Sequence, residues 1–177
     1  RMFRIFQIKI NSEVRDYVNS NKTGHSGAEA KYPIYETHMR VSRGFGDEVN
    51  FLPEDFQHYT QVCEVARDGG LVNSNDETPF IVDHVEEVFS ILNGKYFDED
   101  TEKDIVHDAH VSGFKTKTVT RNDGEVITLR DMHSLSIGDI VYDSVKESYN
   151  IVAGFGFKDI TGDVLQGVQK LKLSEVS

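Results

Sequence analysis

The chain has 177 residues, of which 38% are hydrophobic, and it carries a net charge of -11. This length predicts one domain, and the composition excludes collagen-like, proline-rich and mostly disordered chains. No apolar run approaches the roughly 18 residues that span a bilayer, and the start does not resemble a signal peptide. The single cysteine excludes an internal disulfide framework and a multi-cysteine zinc site, and it fits a reducing compartment. We therefore expect a cytoplasmic protein without a membrane partner.

The charge is concentrated in one part of the chain. Residues 1–46 have a net charge of +4, residues 47–110 of -14 and residues 111–177 of -1. Such asymmetry is typical of a nucleic-acid face and a separate acidic face, although a solvated acidic loop explains it more simply. Broad binding to duplex DNA is disfavoured because it depends on phosphate neutralisation by Lys and Arg. A local basic groove is compatible with the total charge.

The N-terminal segment predicts a strand followed by a short helix and a loop. Residues 3–10 are rich in β-branched and aromatic side chains, which favours a strand covered in part on both faces. Asn11 or Ser12 can cap a helix that continues to about Asn19. Residues 21–27 contain two glycines and predict a loop.

Helices predominate in the next part of the chain. A helix is predicted from Pro33 to the glycines that begin at Gly44, and a short helix begins at Pro53. Residues 61–66 alternate in polarity like a strand. The clearest helix is predicted between Thr78 and Gly94, which fit its N-cap and C-cap, with Pro79 at the first helical position.

Strands predominate in the C-terminal half. Two antiparallel pairs are predicted, and their strands lie at 114–121 with 125–129 and at 137–142 with 149–157. An Asp-Gly step at residue 124 supplies the positive φ that the first hairpin turn needs. Residues 165–177 are predicted as a final strand or a loosely held tail. The expected architecture is a single α+β domain over residues 1–177, with helices mainly from the N-terminal half and an antiparallel sheet mainly in the C-terminal half.

Few residues suggest catalysis. Asp104, His107 and His110 have helical spacing for metal ligands, but the surrounding carboxylates favour an acidic loop without a metal. Cys63 lies in an alternating apolar stretch, where a lone cysteine is usually a small buried hydrophobe. Residues 154–157 read GFGF, which predicts a bulge or close packing with buried Phe rather than a phosphate cradle. We expect no enzyme activity, no cofactor and no catalytic or metal site.

Two segments suggest single-stranded nucleic acid as a ligand. Residues 22–45 interleave cationic side chains with two tyrosines and Phe45, and residues 114–121 place cations on one face of a strand. Single-strand binders combine cationic grooves with aromatic platforms. A solvated strand face and ordinary core tyrosines are the simpler explanation. The candidate binding residues are Lys31, Tyr32, Tyr35, Arg40, Arg43, Lys115, Lys117 and Arg121.

Residues 132–141 read MHSLSIGDIV, and residues 149–157 read YNIVAGFGF. This pattern resembles small proteins of bacteriophages and mobile elements that carry a His-Ser-x-Ser-Val-Gly-Asp-Ile motif and end in Gly-Phe; Ile137 replaces the usual Val. The motif itself favours a structural role, in which His133 and Ser134 satisfy backbone groups at a turn and Gly138-Asp139 leads into a buried strand.

The resemblance implies phage origin and the host-cell cytoplasm as location. Within this set, the chain is similar to a single-stranded-DNA-binding cofactor of RNA polymerase in N4-like phages, and no functional residue carries over from that family. We therefore expect a non-enzymatic phage accessory protein that binds single-stranded DNA and assists transcription or replication, with phage or host RNA polymerase as a further partner. The alternative is a protein-binding module that inhibits or redirects a host factor through the acidic residues 47–110. The sequence does not predict the oligomeric state.

Overall fold

The computed structural model confirms the predicted α+β class, with helices mainly N-terminal and strands mainly C-terminal. It describes residues 2–20, 23–66, 68–72, 79–93, 97–98, 103–104, 111–112, 116–120, 122–124, 126–130 and 132–176. The helices of these residues are α1 (Ser12–Ser20), α2 (Gly24–Lys31), α3 (Pro33–Ser42), a 3₁₀ helix (Pro53–His58), α4 (Val85–Leu92) and α5 (Thr161–Val176).

Six strands of the described chain hydrogen-bond in the order β12-β11-β10-β1-β2-β7. The strands are β1 (Met2–Ile8), β2 (Tyr59–Ala66), β3 (Asp68–Val72), β4 (Pro79–Ile81), β5 (Phe97–Asp98), β6 (Lys103–Asp104), β7 (Val111–Ser112), β8 (Thr116–Thr120), β9 (Val126–Arg130), β10 (Ile140–Asp143), β11 (Ser148–Val152) and β12 (Phe157–Asp159). Three separate antiparallel pairs are formed by β3 with β4, β5 with β6, and β8 with β9. Both predicted hairpins are present, but the strand predicted over 149–157 ends at Val152, and Phe157 begins a further strand, β12, which pairs with β11.

The chain divides into two compact units. One comprises residues 1–5, 61–135 and 142–147, and the other comprises residues 6–60, 136–141 and 148–177. The second unit contains two hydrophobic clusters and most of the residues that the sequence indicated for binding. Its larger cluster joins strand, helix and loop residues, namely Ile8, Val41, Phe51, Ile140, Ile151, Ile160 and Val164. Its smaller cluster joins α1, α2 and α3 through Val14, Ala28 and Tyr35.

The N-terminal helices follow their local signals with one exception. The Asn11 side chain accepts a hydrogen bond from the Val14 amide at 3.0 Å, as predicted for an N-cap, and Pro33 stands in the first turn of α3. The prediction of a loop at 21–27 is wrong from Gly24 onwards, where α2 begins. Fully buried Ala28 gives this glycine-containing helix an apolar contact with its neighbours, which offsets its low intrinsic propensity.

The helix predicted between Thr78 and Gly94 is shorter than expected. It begins at Val85, and residues 79–81 form β4 instead. The Glu87 carboxylate accepts a hydrogen bond from the Asp83 amide at 2.7 Å, so it reaches back over the first turn and fixes the later start. A proline at the first residue of a strand is compatible with β4, because a strand end does not need its N–H.

The C-terminal segment is also corrected. Residues predicted as a strand or a loose tail belong to α5, which begins at Thr161. The Asp159 carboxylate accepts hydrogen bonds from the Thr161 amide at 2.9 Å and from the Thr161 hydroxyl at 2.6 Å. These hydrogen bonds hold the backbone in a turn where the helix begins. Val164 and Gly167 are buried in the same face, where Gly167 meets the carbonyl of Pro53 in the 3₁₀ helix.

Candidate nucleic-acid interface

Two Gly-Phe-Gly loops, residues 44–46 and 154–156, pack backbone against backbone. The Phe155 amide donates a hydrogen bond to the carbonyl of Gly46 at 3.1 Å. A Cβ atom on Gly154 would lie 2.8 Å from both the nitrogen and the oxygen of Gly46, and Gly46 itself has a φ of 63°. Gly154 thus leaves no space for a Cβ atom, and the positive φ of Gly46 favours glycine there, so the two loops approach each other through their backbones.

Both phenylalanines of these loops are exposed. Phe45 keeps 86% of its surface in solvent and Phe155 keeps 75%. The prediction of close packing at residues 154–157 is confirmed, but the prediction of a buried Phe155 is wrong. The glycine backbones occupy the close contact, and the ring between them is left in solvent. Among the phenylalanines whose burial the structure describes, Phe45 and Phe155 are the two most exposed.

Each exposed ring has a cation nearby in the chain. Arg43, two residues before Phe45, pairs with Glu29 at 2.9 Å, and its side chain is 57% exposed. Lys158, three residues after Phe155, lies 3.5 Å from a carboxylate oxygen of Asp47. These ion pairs are in contact with water, where a pair is worth about 0–1 kcal/mol. A stronger anionic ligand can therefore replace either carboxylate at little cost.

A second group of cationic and aromatic residues lies where α1 meets α2. The ammonium of Lys31 lies 4.6 Å from the centroid of the Tyr17 ring and 5.4 Å from that of Tyr32. The two rings meet edge to face at 5.5 Å, and the Tyr32 hydroxyl donates a hydrogen bond to Glu13 at 3.3 Å. Lys31 is exposed and both tyrosines are half-buried, so the group combines a cation with accessible aromatic edges.

Tyr35, another predicted binding residue, is buried in the smaller cluster. Its hydroxyl hydrogen-bonds Nδ1 of His25, whose ring stacks on the tyrosine ring. Desolvation raises the pKa of Tyr35, and Glu29 raises it further while Arg43 opposes the shift. A ring enclosed in this way has no face for a base to stack on, so Tyr35 contributes to the core rather than to the surface.

Arg40 holds α3 against the 3₁₀ helix. Its two terminal nitrogens donate to the two carboxylate oxygens of Asp55 at 2.8 Å each, and one of them also donates to the Asn50 carbonyl at 2.8 Å. The Nε atom donates to Glu36 at 2.8 Å. These hydrogen bonds raise the pKa of Arg40. The planar fork of the guanidinium is thus engaged by carboxylates, which leaves it no free edge for a phosphate.

The remaining predicted cations belong to the hairpin β8–β9 in the other compact unit. Lys117 pairs with Leu129 in the register of this hairpin, and Gly124 in the turn has a φ of 87°. Lys115 and Arg121 lie outside the described residues. The predicted hairpin is therefore present, while convergence of its cations with Lys31 or Arg43 stays a prediction.

Cys63 and the acidic segment at 104–110 are the two places where the sequence offers residues with catalytic chemistry. Cys63 is buried, and desolvation, aided by Glu64, raises the pKa of its thiol to about 12. Such a thiol holds little nucleophilic thiolate at neutral pH. Within the described residues, no three His, Cys, Asp or Glu side chains are placed to share a metal ion. His107 and His110 lie outside that part.

The motif at 132–141 has a structural role. Asp139 is buried, and its carboxylate accepts hydrogen bonds from the Ser136 amide at 2.9 Å and the Gln7 side chain at 3.0 Å. Gly138 has a φ of 95°, and an added Cβ would lie 2.9 Å from the Val41 side chain. The segment therefore turns the chain tightly into β10, which explains why it needs Gly followed by Asp.

A scan of protein-family models, a search of curated proteins and a search of solved structures find no match to the chain. No helix among the described residues is long and apolar enough to cross a membrane.

Proposed function

We propose that the protein is a non-enzymatic phage accessory protein that binds single-stranded DNA and assists transcription or replication. The carrying observation is the group formed by Lys31, Tyr17 and Tyr32, in which an exposed ammonium lies over two tyrosine rings. Support for phage origin comes from the resemblance at residues 132–141. The buried Cys63 thiol agrees with a role in binding rather than nucleophilic catalysis.

The chemistry of this group suits an unpaired strand. An ammonium can neutralise a phosphate, and an aromatic ring beside it can receive a base, each stacked base being worth about 1–3 kcal/mol. The surrounding N-terminal part of the chain supplies a favourable field, because residues 1–46 carry a net charge of +4 within an acidic protein. Duplex DNA hides its base faces and would gain only the phosphate contacts.

The test is a fluorescence-anisotropy titration with a labelled single-stranded oligonucleotide and its duplex at two salt concentrations. We expect binding to the single strand that weakens with salt, and weaker binding to the duplex. Lys31→Ala should lower the affinity and reduce the salt slope by about 0.7, the value for one phosphate contact on a single strand. Lys170→Ala, which removes an exposed lysine on α5, is the matched control and should bind as wild type.

Two results contradict the proposal. One is the absence of binding to the single strand at low salt. The other is an equal effect of Lys31→Ala and Lys170→Ala, which would show that only the total charge matters.

A second candidate function is binding of a basic protein through the acidic residues 47–110. The specific observation is that Asp47, Glu48 and Glu54 at the start of this region are exposed. Acidic surfaces steer association with basic partners, and the association rate falls as salt rises. RNA polymerase is a partner that can be tested directly with purified enzyme. Salt-sensitive binding that Asp47→Asn together with Glu48→Gln weakens, without an effect of Lys31→Ala, supports this second function.

A further inference from the structure

We propose that Phe45 and Phe155 form an aromatic platform on which unpaired bases of a single strand stack, with Arg43 and Lys158 contacting the adjacent phosphates. This inference rests on the proposed single-strand binding and assigns it a second contact surface besides the group at Lys31. The platform is built by the two Gly-Phe-Gly loops, 44–46 and 154–156.

The exposure of these rings needs a reason beyond chance. Burying a phenylalanine side chain is favourable, yet both rings lie mostly in solvent, whereas Phe51 of the same unit is buried in its larger cluster. Single exposed apolar residues are ordinary on protein surfaces. Here, however, two exposed rings stand on loops that touch each other through Gly46 and Gly154. The two loops that carry the exposed rings are therefore in contact.

The platform is fixed before any ligand binds. The hydrogen bond from the Phe155 amide to Gly46 and the glycine-to-glycine contact determine where each Cα atom lies. A fixed loop has little conformational entropy left to lose on binding, so more of the stacking energy appears as affinity. A phenylalanine adds only two side-chain torsions to this cost.

The cations near the two rings favour a nucleic-acid strand over an apolar protein segment as the ligand of the platform. Arg43 lies two residues before Phe45 and Lys158 lies three residues after Phe155 in the chain. The carboxylates that pair with the two cations do so in water, at 2.9 and 3.5 Å. Phosphate can replace them because exposed ion pairs are worth about 0–1 kcal/mol. A cation close in the chain to an exposed ring suits a ligand in which a phosphate lies next to a base.

The experiment uses the full chain, a fluorescein-labelled twelve-residue thymidine oligonucleotide and an abasic oligonucleotide of the same length. Phe45→Leu and Phe155→Leu keep an apolar side chain and remove the ring, and Leu173→Ala removes an exposed apolar group elsewhere as the control. We expect each phenylalanine variant to bind thymidine roughly 5- to 100-fold more weakly, as expected for one lost stack, with an unchanged salt slope. The abasic oligonucleotide should bind wild type and the double variant equally.

The outcomes separate this inference from the proposed function. If wild type binds the thymidine strand and Lys31→Ala weakens it, but the phenylalanine variants bind as wild type, the platform is overturned and the proposed function stands. If wild type does not bind the strand at low salt, both are overturned. If sedimentation shows that wild type self-associates and the double variant does not, the rings form a contact between copies and the platform is again overturned. Equal urea midpoints confirm that the variants are folded.

Discussion

Arg40→Met should destabilise the protein far more than Arg43→Met, although both replace an arginine at the C-terminal end of α3. The substitution at position 40 removes the partner of a carboxylate that is almost fully buried, since the Asp55 side chain is 2% exposed. Its two oxygens would keep only the hydrogen bond from the Leu52 amide, at 2.7 Å. A buried charge that loses its partner costs about 3–5 kcal/mol.

The structure places the expected value at the lower end of that range. The Arg40 side chain is 26% exposed, so water can reach the site once the guanidinium is gone and solvate part of the carboxylate. We therefore expect about 3 kcal/mol for Arg40→Met. Arg43 is 57% exposed and pairs with Glu29 at the surface, so Arg43→Met should change the free energy of unfolding by at most about 1 kcal/mol.

Urea denaturation of wild type and the two variants measures both values. The cause is isolated by repeating Arg40→Met in an Asp55→Asn background, where no buried carboxylate is left unpaired. The cost of Arg40→Met should fall there by more than about 1 kcal/mol, because residues in one network are not additive. Equal costs for Arg40→Met and Arg43→Met, or an unchanged cost in the Asp55→Asn background, would refute the reasoning.

Two further predictions concern packing and pH. Gly167→Ala should destabilise α5, because its Cβ would lie 1.9 Å from the Pro53 carbonyl oxygen. Gly162→Ala in the same helix meets no atom within 4 Å and should stabilise the protein by up to about 1 kcal/mol. Urea midpoints measure both changes in stability, and two changes of the same sign would contradict the packing of Gly167 against Pro53. The folded-state pKa of Cys63 is about 12, above its unfolded value, so the contribution of the neutral thiol is complete below about pH 8.5 and is lost as the pH rises toward 12. Between pH 8 and pH 10 wild type should lose about 2 kcal/mol more stability than Cys63→Ala. Equal losses in the two proteins would contradict a buried neutral thiol at position 63.

Local signals in the sequence predicted much of the fold. Asn11 caps α1, Pro33 begins α3 and Pro53 begins the 3₁₀ helix, because each of these residue types favours a helix start through its own side chain or ring. The alternation at residues 61–66 and the two hairpins were equally local, since they depend on polarity at every second position and on turn residues.

The predictions that failed depended on contacts between distant residues. The glycines of residues 24–27 favour a loop on their own, and the burial of Ala28 against α1 and α3 makes them helical. Pro79 fits the first turn of a helix as well as the first residue of a strand, and its pairing with Val72 in β3 decides for the strand. In α5, Gly167 has a low helix propensity on its own, and it suits the helix because the 3₁₀ helix lies against it.

The sequence predicted which kinds of residue make up the candidate site, but only some of the individual residues. Cations and aromatic rings do lie together at Lys31, Tyr17 and Tyr32, as the interleaving of residues 22–45 indicated. A sequence cannot distinguish an arginine that faces solvent from one that a distant carboxylate engages, and Arg40 is of the second kind. The carboxylate that engages Arg40 belongs to Asp55, in the first turn of another helix. No sequence pattern links the two positions, so the pair could not be predicted.

Phe155 shows why exposure is harder to predict than secondary structure. A phenylalanine between glycines in an apolar run favours a buried ring, since glycine in a strand often marks close packing. The close packing is present, but the backbone of Gly46 fills it. The glycine pattern therefore indicates where two backbones meet, and the Phe155 ring lies beside Gly46, its nearest atom 3.7 Å from where a Cβ of that glycine would be, without being enclosed. Phe45 stands in the same Gly-Phe-Gly sequence and is exposed as well, although Gly44 approaches the carbonyl of Glu48 and not the other loop. The sequence Gly-Phe-Gly thus marks close backbone packing in both loops, but it does not determine which backbone is met or whether the ring is covered.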